Sequence, residues 1–460
     1  MNVVQTSAEA GRPVVPPTIR ERIGTLDVAR GAAVLGILLA NISWFATPSL
    51  GSFLMTETPE PTAGAERWLE LAQYAFVTAK FRSMLAILFG VGMYLQFVKR
   101  SQVAKAWPAG YFKRTGWLCV FGLVHGLLIW FGDILFLYSI GAFVACALVH
   151  LSEKAVRGIV KWVGGSALIV GAVLTLVVAG LTVFSSEWVG ESTPTEGFPS
   201  ADHELWAFSE GGYLDQLRYR SLMFALSSGT GLFFLLWLVP LMLLGWLLAK
   251  HDVLRKPGSH PAWKKMMGWG LGLGIPLNLT AFLWFGASDT TGTYLLAETA
   301  FGPILAVGYL AVLVRWAETG FLRPVLNALA LVGRMAFSNY ILQSLLCTFV
   351  FYSWGLGLFG QIELFGLYGI VAGVWAVNIA FSALWLRFFA MGPLEWLWRS
   401  LVEGRRLPIR NGRSLPEWPA VAAPLPDGLT SASVSQGSPA DVLDGAQTDE
   451  SRAEAPRFQV

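Results

Sequence analysis

Ten stretches of the chain are apolar for most of their length, near residues 28–47, 83–98, 115–130, 134–151, 158–185, 229–250, 267–287, 297–316, 335–357 and 364–390. Each is about long enough to cross a hydrocarbon layer as a helix. Lipid offers backbone groups no partner, and a helical run satisfies its own. The pattern predicts an all-α, polytopic membrane bundle of about ten transmembrane helices. The intervening segments alternate in charge. Residues 99–114 carry Lys99, Arg100, Lys105, Lys113 and Arg114 without an acid, and 250–265 carry Lys250, Arg255, Lys256, Lys264 and Lys265 against Asp252 alone. Lys154, Arg157 and Lys161 mark a third basic turn, whereas 48–70 and 187–215 are acidic. Basic segments face the cytoplasm, so ten spans place both termini there.

The organisation expected from this pattern is a polar N-terminal tail over 1–22, a helical bundle over 23–404, and a disordered cytoplasmic tail over 405–460 rich in Ser, Pro, Ala, Gly and Asp. The first apolar run lacks an A-x-A cleavage site and reads as an uncleaved span. Gly392-Pro393-Leu394-Glu395 opens a helix along the inner face of the bilayer, with Glu395 and Arg399 spaced as an i,i+4 pair.

Composition agrees: 54% of residues are hydrophobic and 14% charged, and mean hydropathy is +0.55. Soluble domains carry nearer to 25% charge, so lipid is the implied solvent. A net charge of +3 without a basic stripe excludes a nucleic-acid partner. Cys119, Cys146 and Cys347 lie inside apolar runs without a CxxC, which leaves no metal or disulfide signature.

Polarity inside the runs carries the candidate chemistry, because each such residue is costly in lipid unless it is paired. Asp27 and Arg30 are three apart and share a helix face. Arg30, Val34, Ile37 and Asn41 continue as a stripe, with Arg30 and Asn41 about 16 Å apart along the axis. Ala32, Gly36 and Ala40 form a small-residue seam beside it. Lys80 and Arg82 precede the second span; Lys80 snorkels to the surface while Arg82 points into the bundle. In Gly333-Arg334-Met335-Ala336-Phe337-Ser338-Asn339, Arg334 and Asn339 add polarity, and Gln343 shares a face with Asn339. Helix–helix hydrogen bonding explains each of these singly. Asn278 and Asn378 read as packing residues.

His125, in Gly122-Leu123-Val124-His125-Gly126, is the strongest candidate for catalysis, since an imidazole inside a bilayer serves as base or proton relay. Asp133 lies eight residues on. A continuous helix would set it about 12 Å above His125 and roughly 80° round, so either the helix breaks at Gly132 to allow a direct bond or the carboxylate acts on a different partner.

These motifs resemble the YeiB-like family of bacterial inner-membrane proteins, whose C-terminal half defines domain-of-unknown-function family 418. The matching pieces include Leu26-Asp27 with Arg30-Gly31, Phe81-Arg82, Gly122 to Gly126, Gly132-Asp133, Gly333 to Ala336, Ser338-Asn339-Tyr340 and Gly392 to Glu395. On that resemblance, 229–400 is the family-defining half and the bacterial cytoplasmic membrane is the location. The first half is similar to transmembrane acyltransferases of the heparan-α-glucosaminide N-acetyltransferase type, which share a Leu-Asp-x-x-Arg-Gly span. That similarity implies a cytoplasmic acyl-coenzyme A co-substrate, a lipid or glycan acceptor and a buried catalytic histidine. Asn41 occupies the place where one acyltransferase branch carries that histidine, leaving His125 as the substitute.

Three readings therefore stand. In an acyltransferase, His125 is the base, Asp133 its orienter or the acceptor's anchor, and Arg30 with Arg334 the phosphate clamp, with Asp27, Asn41, Arg82, Asn339 and Gln343 as binding positions. In a transporter or exporter of a small amphiphile, the same polar stripes line a path. In a structural subunit, they only hold helices together.

Overall fold

The computed structural model describes residues 19–48, 64–102, 107–185, 200–253, 260–285 and 296–410. Of the expected tails over 1–22 and 405–460, residues 1–18 and 411–460 lie outside the described residues, while 19–22 already belong to the first helix. The described residues are predominantly helical, and among them the sole strand-like pairing is an isolated bridge between Phe389 and Arg410.

In chain order the helices are α1 (Ile19–Ala46), α2 (Gly64–Phe76), α3 (Lys80–Gln102), α4 (Ala109–Leu128), α5 (Leu135–Leu148), α6 (Glu153–Gly158) and α7 (Gly164–Ser185). They continue with α8 (Ala201–Ser209), α9 (Tyr213–Phe233), α10 (Leu235–Lys250), α11 (Pro261–Phe285) and α12 (Gly302–Thr319). Last come α13 (Arg323–Arg334), α14 (Ala336–Phe351), α15 (Leu364–Phe388) and α16 (Pro393–Glu403).

Among the described residues, six helical segments are long and apolar enough to cross a bilayer, or up to eight when bent pairs count as single spans. About ten apolar runs mark the sequence, and the difference has visible causes. The run at 229–250 is the second part of α9 and α10, which meet at 62°, and the run at 335–357 is α14, joined to α13 at 88°. The run at 134–151 forms the short α5. Segments such as α7, α11 and α15 are apolar yet turn Ile169, Leu176, Trp269, Leu283, Leu384 and Phe388 outward. An apolar surface of that extent calls for lipid around it. This is a polytopic α-helical membrane protein.

Small residues set the tightest crossings. A Cβ placed on Gly31 would lie 1.9 Å from the Leu329 carbonyl oxygen, and one on Gly333 would lie 1.8 Å from that of Asp27. Helices α1 and α13 therefore touch backbone to backbone, as small-residue interfaces in membranes permit. Gly90 and Gly245 do the same for α3 and α10. In the anticipated seam, Gly36 receives the Phe81 ring rather than another backbone.

Two expectations are corrected. Lys80 does not snorkel: it is fully buried and its Nζ donates to the Tyr74 carbonyl at 2.8 Å. That carbonyl, in the last turn of α2, accepts from one of the three ammonium donors where the side chain stands. Glu395 and Arg399 stay within electrostatic reach but form no ion pair among the described residues, and the carboxylate bonds elsewhere. It accepts from the backbone N–H of Phe337 at 2.8 Å and of Ser338 at 3.2 Å, and from the Ser338 hydroxyl. Those groups form the free N-terminus of α14, where donors lack intrahelical partners and a negative charge meets the positive end of the helix dipole. Burial nevertheless holds the Glu395 carboxyl above its usual value, against the lowering effect of these hydrogen bonds.

Candidate active site

His125 and Asp133 meet directly. Helix α4 stops at Leu128, and residues 129–134 turn back so that α5 starts beside the helix just left. Gly122 makes room for that return: a Cβ there would lie 2.3 Å from Phe136 N and 2.7 Å from Asp133 Oδ2. Gly132, the predicted breaking point, packs against the Trp130 indole. The result is a 2.8 Å bond between His125 Nδ1 and Asp133 Oδ1, with both side chains sealed from solvent.

The second imidazole nitrogen has a partner from far along the chain. Ser344 Oγ lies 2.9 Å from His125 Nε2. A carboxylate only accepts, so Asp133 requires the hydrogen on Nδ1, which leaves Nε2 as acceptor for the Ser344 hydroxyl. The other carboxylate oxygen is held by the backbone N–H of Phe136 at 2.6 Å. Asp133 thereby caps α5 and orients the imidazole with the same group. Tyr340, one turn before Ser344, packs its ring 5.1 Å from the imidazole and accepts the Ile134 N–H at 3.3 Å.

Ser344, His125 and Asp133 thus form an ordered relay of hydroxyl, imidazole and carboxylate, the arrangement that turns a hydroxyl into a nucleophile. Among the described residues, two buried donors in this region carry no partner, Gln343 Nε2 and Trp130 Nε1. The Trp130 ring stands edge-on to His125 at 6.4 Å and stacks on Phe45 at 3.9 Å.

The remaining sequence candidates divide into groups. Asp27 and Arg30 form the anticipated pair at 3.0 Å, and Arg334 and Arg399 lie within electrostatic reach of the same carboxylate. Asn339 is fully buried and donates to the Val332 carbonyl at 3.1 Å and to Ser382 Oγ at 2.8 Å, while Asn378 donates to the Asn339 carbonyl at 3.2 Å. These bonds tie α13, α14 and α15 together at the bend, which is packing work. Asn278 bonds the Gly274 carbonyl at 2.8 Å and is likewise a packing residue. Asn41 makes no hydrogen bond to the relay. Arg82 points into the bundle and pairs with Glu298 across 216 residues. That pair lines a shallow cleft with Tyr138, Phe234 and Trp237.

Sequence reasoning missed Ser344 and Glu298. Ser344 is one of many span hydroxyls and Glu298 sits at the edge of an apolar run; neither has a local signal, because each partner comes from a distant helix. Glu298 does lie in the π-turn Ala297–Phe301, a distortion of the helical ladder often found at functional positions. Among the described residues no group of His, Cys, Asp and Glu could hold a metal ion.

Comparison with known proteins places the chain. It is 32% identical over 403 residues to the uncharacterized protein YxaH of Bacillus subtilis, covering 84% of this chain and 95% of that protein. The sequence model of a family described as a protein of unknown function (DUF418) matches residues 248–405. The chain belongs to this family. It is also 30% identical over 395 residues to the uncharacterized protein YeiB of Escherichia coli, covering 83% of this chain and 96% of that one. An uncharacterized 39.9 kDa protein of Bacillus acidopullulyticus is 28% identical over 403 residues, covering 86% and 97%. No solved structure matches. The DUF418 match spans α11 to α16, so Ser344 lies inside it while His125 and Asp133 lie before it.

Proposed function

We propose that this protein is an acyltransferase of the bacterial cytoplasmic membrane that moves an acyl group from acyl-coenzyme A to a lipid or glycan acceptor. The observation that carries the reading is the buried Ser344–His125–Asp133 relay. The acyltransferase resemblance of the first span supports it.

In this reading Ser344 Oγ attacks the thioester carbonyl as its proton passes to His125 Nε2. Asp133 steadies the imidazolium that forms. The thiolate of coenzyme A leaves with the proton held by His125, and an ester remains on Ser344. An acceptor hydroxyl or amine then gives its proton to the same nitrogen, attacks the ester carbonyl and restores Ser344. Arg30 and Arg334 are suited to the phosphates of coenzyme A. From Ala336, at the bend beside Arg334, to Ser344 the helix rises only about 12 Å, a span a pantetheine arm covers.

The test is transfer of radiolabelled acyl groups from acyl-coenzyme A by protein in nanodiscs made from the native lipids. Ser344→Ala and His125→Ala each abolish transfer, and mass spectrometry of the wild type finds the acyl group on the peptide containing Ser344. Undiminished transfer in both variants rejects the mechanism. A transporter reading draws on a different feature, the cleft lined by Arg82 and Glu298. Movement of an amphiphile across proteoliposomes without covalent change, lost in Arg82→Gln, would favour it.

A further inference from the structure

Arg220, in α9, has a need that no other described residue meets. Only 1% of its surface is exposed, and its Nε and Nη2 have no hydrogen-bond partner. Arg82 and Arg30 each have a carboxylate, but among the described residues no carboxylate pairs with Arg220. A guanidinium cannot shed its charge, so leaving it bare inside a membrane protein is costly and marks a ligand path. One turn earlier on the same face stands Gln216, fully buried, whose Nε2 donates to Ser353 Oγ at 2.8 Å while its Oε1 accepts from nothing. Two bare donors and one bare acceptor therefore share a helix face.

The way in is visible. The Tyr213 ring covers the guanidinium at 4.7 Å from its centroid. Its hydroxyl is held by the Leu128 carbonyl at 3.0 Å, at the end of α4. Tyr213 is 48% exposed and its neighbour Leu214 is 68% exposed, so the cover faces outward from the bundle. On the inner side Tyr219, Met223, Phe224 and Tyr352 belong to one buried apolar cluster. One swing of this exposed tyrosine would uncover the guanidinium.

We propose that Arg220 holds the phosphate of an amphiphile that enters from the bilayer past Tyr213. The Nε and Nη2 edge of a guanidinium matches two phosphate oxygens side by side. Gln216 Oε1 then takes a hydroxyl of the same ligand, as on a phosphatidylglycerol headgroup. The site shares no residue with the relay and stands whether or not acyl transfer occurs. The same phosphate chemistry could come from a lipid headgroup or from a free phosphate, and the experiment separates the two.

Native mass spectrometry of the full chain in detergent, titrated with dioleoylphosphatidylglycerol, dioleoylglycerol or inorganic phosphate, provides the test. Wild type takes up one phosphatidylglycerol at concentrations where dioleoylglycerol, lacking the phosphate, does not bind. Arg220→Gln weakens that uptake at least about tenfold, and Arg220→Lys, which keeps the charge without the fork, falls between. Tyr213→Ala speeds uptake several-fold. Inorganic phosphate binding that depends on Arg220, with lipid binding that does not, supports the site with a soluble source. Equal uptake of every probe by wild type and a folded Arg220→Gln overturns the proposal. Should that variant not fold, unchanged affinity in a folded Arg220→Lys overturns it equally.

Discussion

Asp133→Asn separates a relay from a mere packing contact. The carboxylate makes two bonds, accepting from the His125 Nδ1–H at 2.8 Å and from the Phe136 N–H at 2.6 Å. An amide offers one oxygen. The backbone N–H cannot be removed, so the oxygen stays with Phe136 and the new NH2 group faces Nδ1. That nitrogen must then accept, and the imidazole hydrogen moves to Nε2. There it can no longer receive the Ser344 proton. In a serine–histidine–aspartate system this swap costs about 10⁴-fold in turnover, equivalent to roughly 5.5 kcal/mol in barrier height. Loss of a charge-assisted bond also lowers stability by about 1.5–3 kcal/mol. Two measurements check the chain of reasoning. Nitrogen-15 NMR of labelled histidine, resolved among five histidines by comparison with His125→Ala, reports the hydrogen on Nδ1 in the wild type and on Nε2 in Asp133→Asn. Acyl transfer in nanodiscs falls by the factor above. An unchanged tautomer, or a changed tautomer with full transfer, refutes the argument.

Other consequences are open to simpler assays. Gly31→Leu drives a side chain into the Leu329 carbonyl, 1.9 Å from where its Cβ must sit, and lowers the unfolding midpoint in detergent by the equivalent of at least about 1–3 kcal/mol. A double-mutant cycle of Arg82→Gln and Glu298→Gln returns a coupling energy of about 1–3 kcal/mol; additive losses would mean that the pair in the cleft is not coupled. Burial raises the Glu395 carboxyl above its unfolded value, so its neutral form is favoured in the fold. Its stabilising contribution is full below the unfolded value and is lost as pH rises through the folded one. Glu395→Gln, which keeps an acceptor for the Phe337 and Ser338 N–H groups, flattens that part of the stability–pH curve.

The run of apolar residues by itself determined the solvent, the all-helical class and the rarity of intramembrane charge, because those follow from transfer energies that need no partner. It also supplied the two polar pairings that lie within one helix or one turn, Asp27 with Arg30 and, given a break at Gly132, His125 with Asp133. Helical periodicity fixes which residues share a face and stops there. Which face meets which depends on where backbones can close to contact, and here that rests on glycines such as Gly122 and Gly333 together with bends of 62° and 88°. Only the packed structure could bring Ser344 to His125 across 219 residues, set Glu298 against Arg82, turn Glu395 onto the start of α14 and leave Arg220 bare. Hydrogen bonds act over about 3 Å, so a partner hundreds of residues distant is decided by packing and has no trace in local pattern.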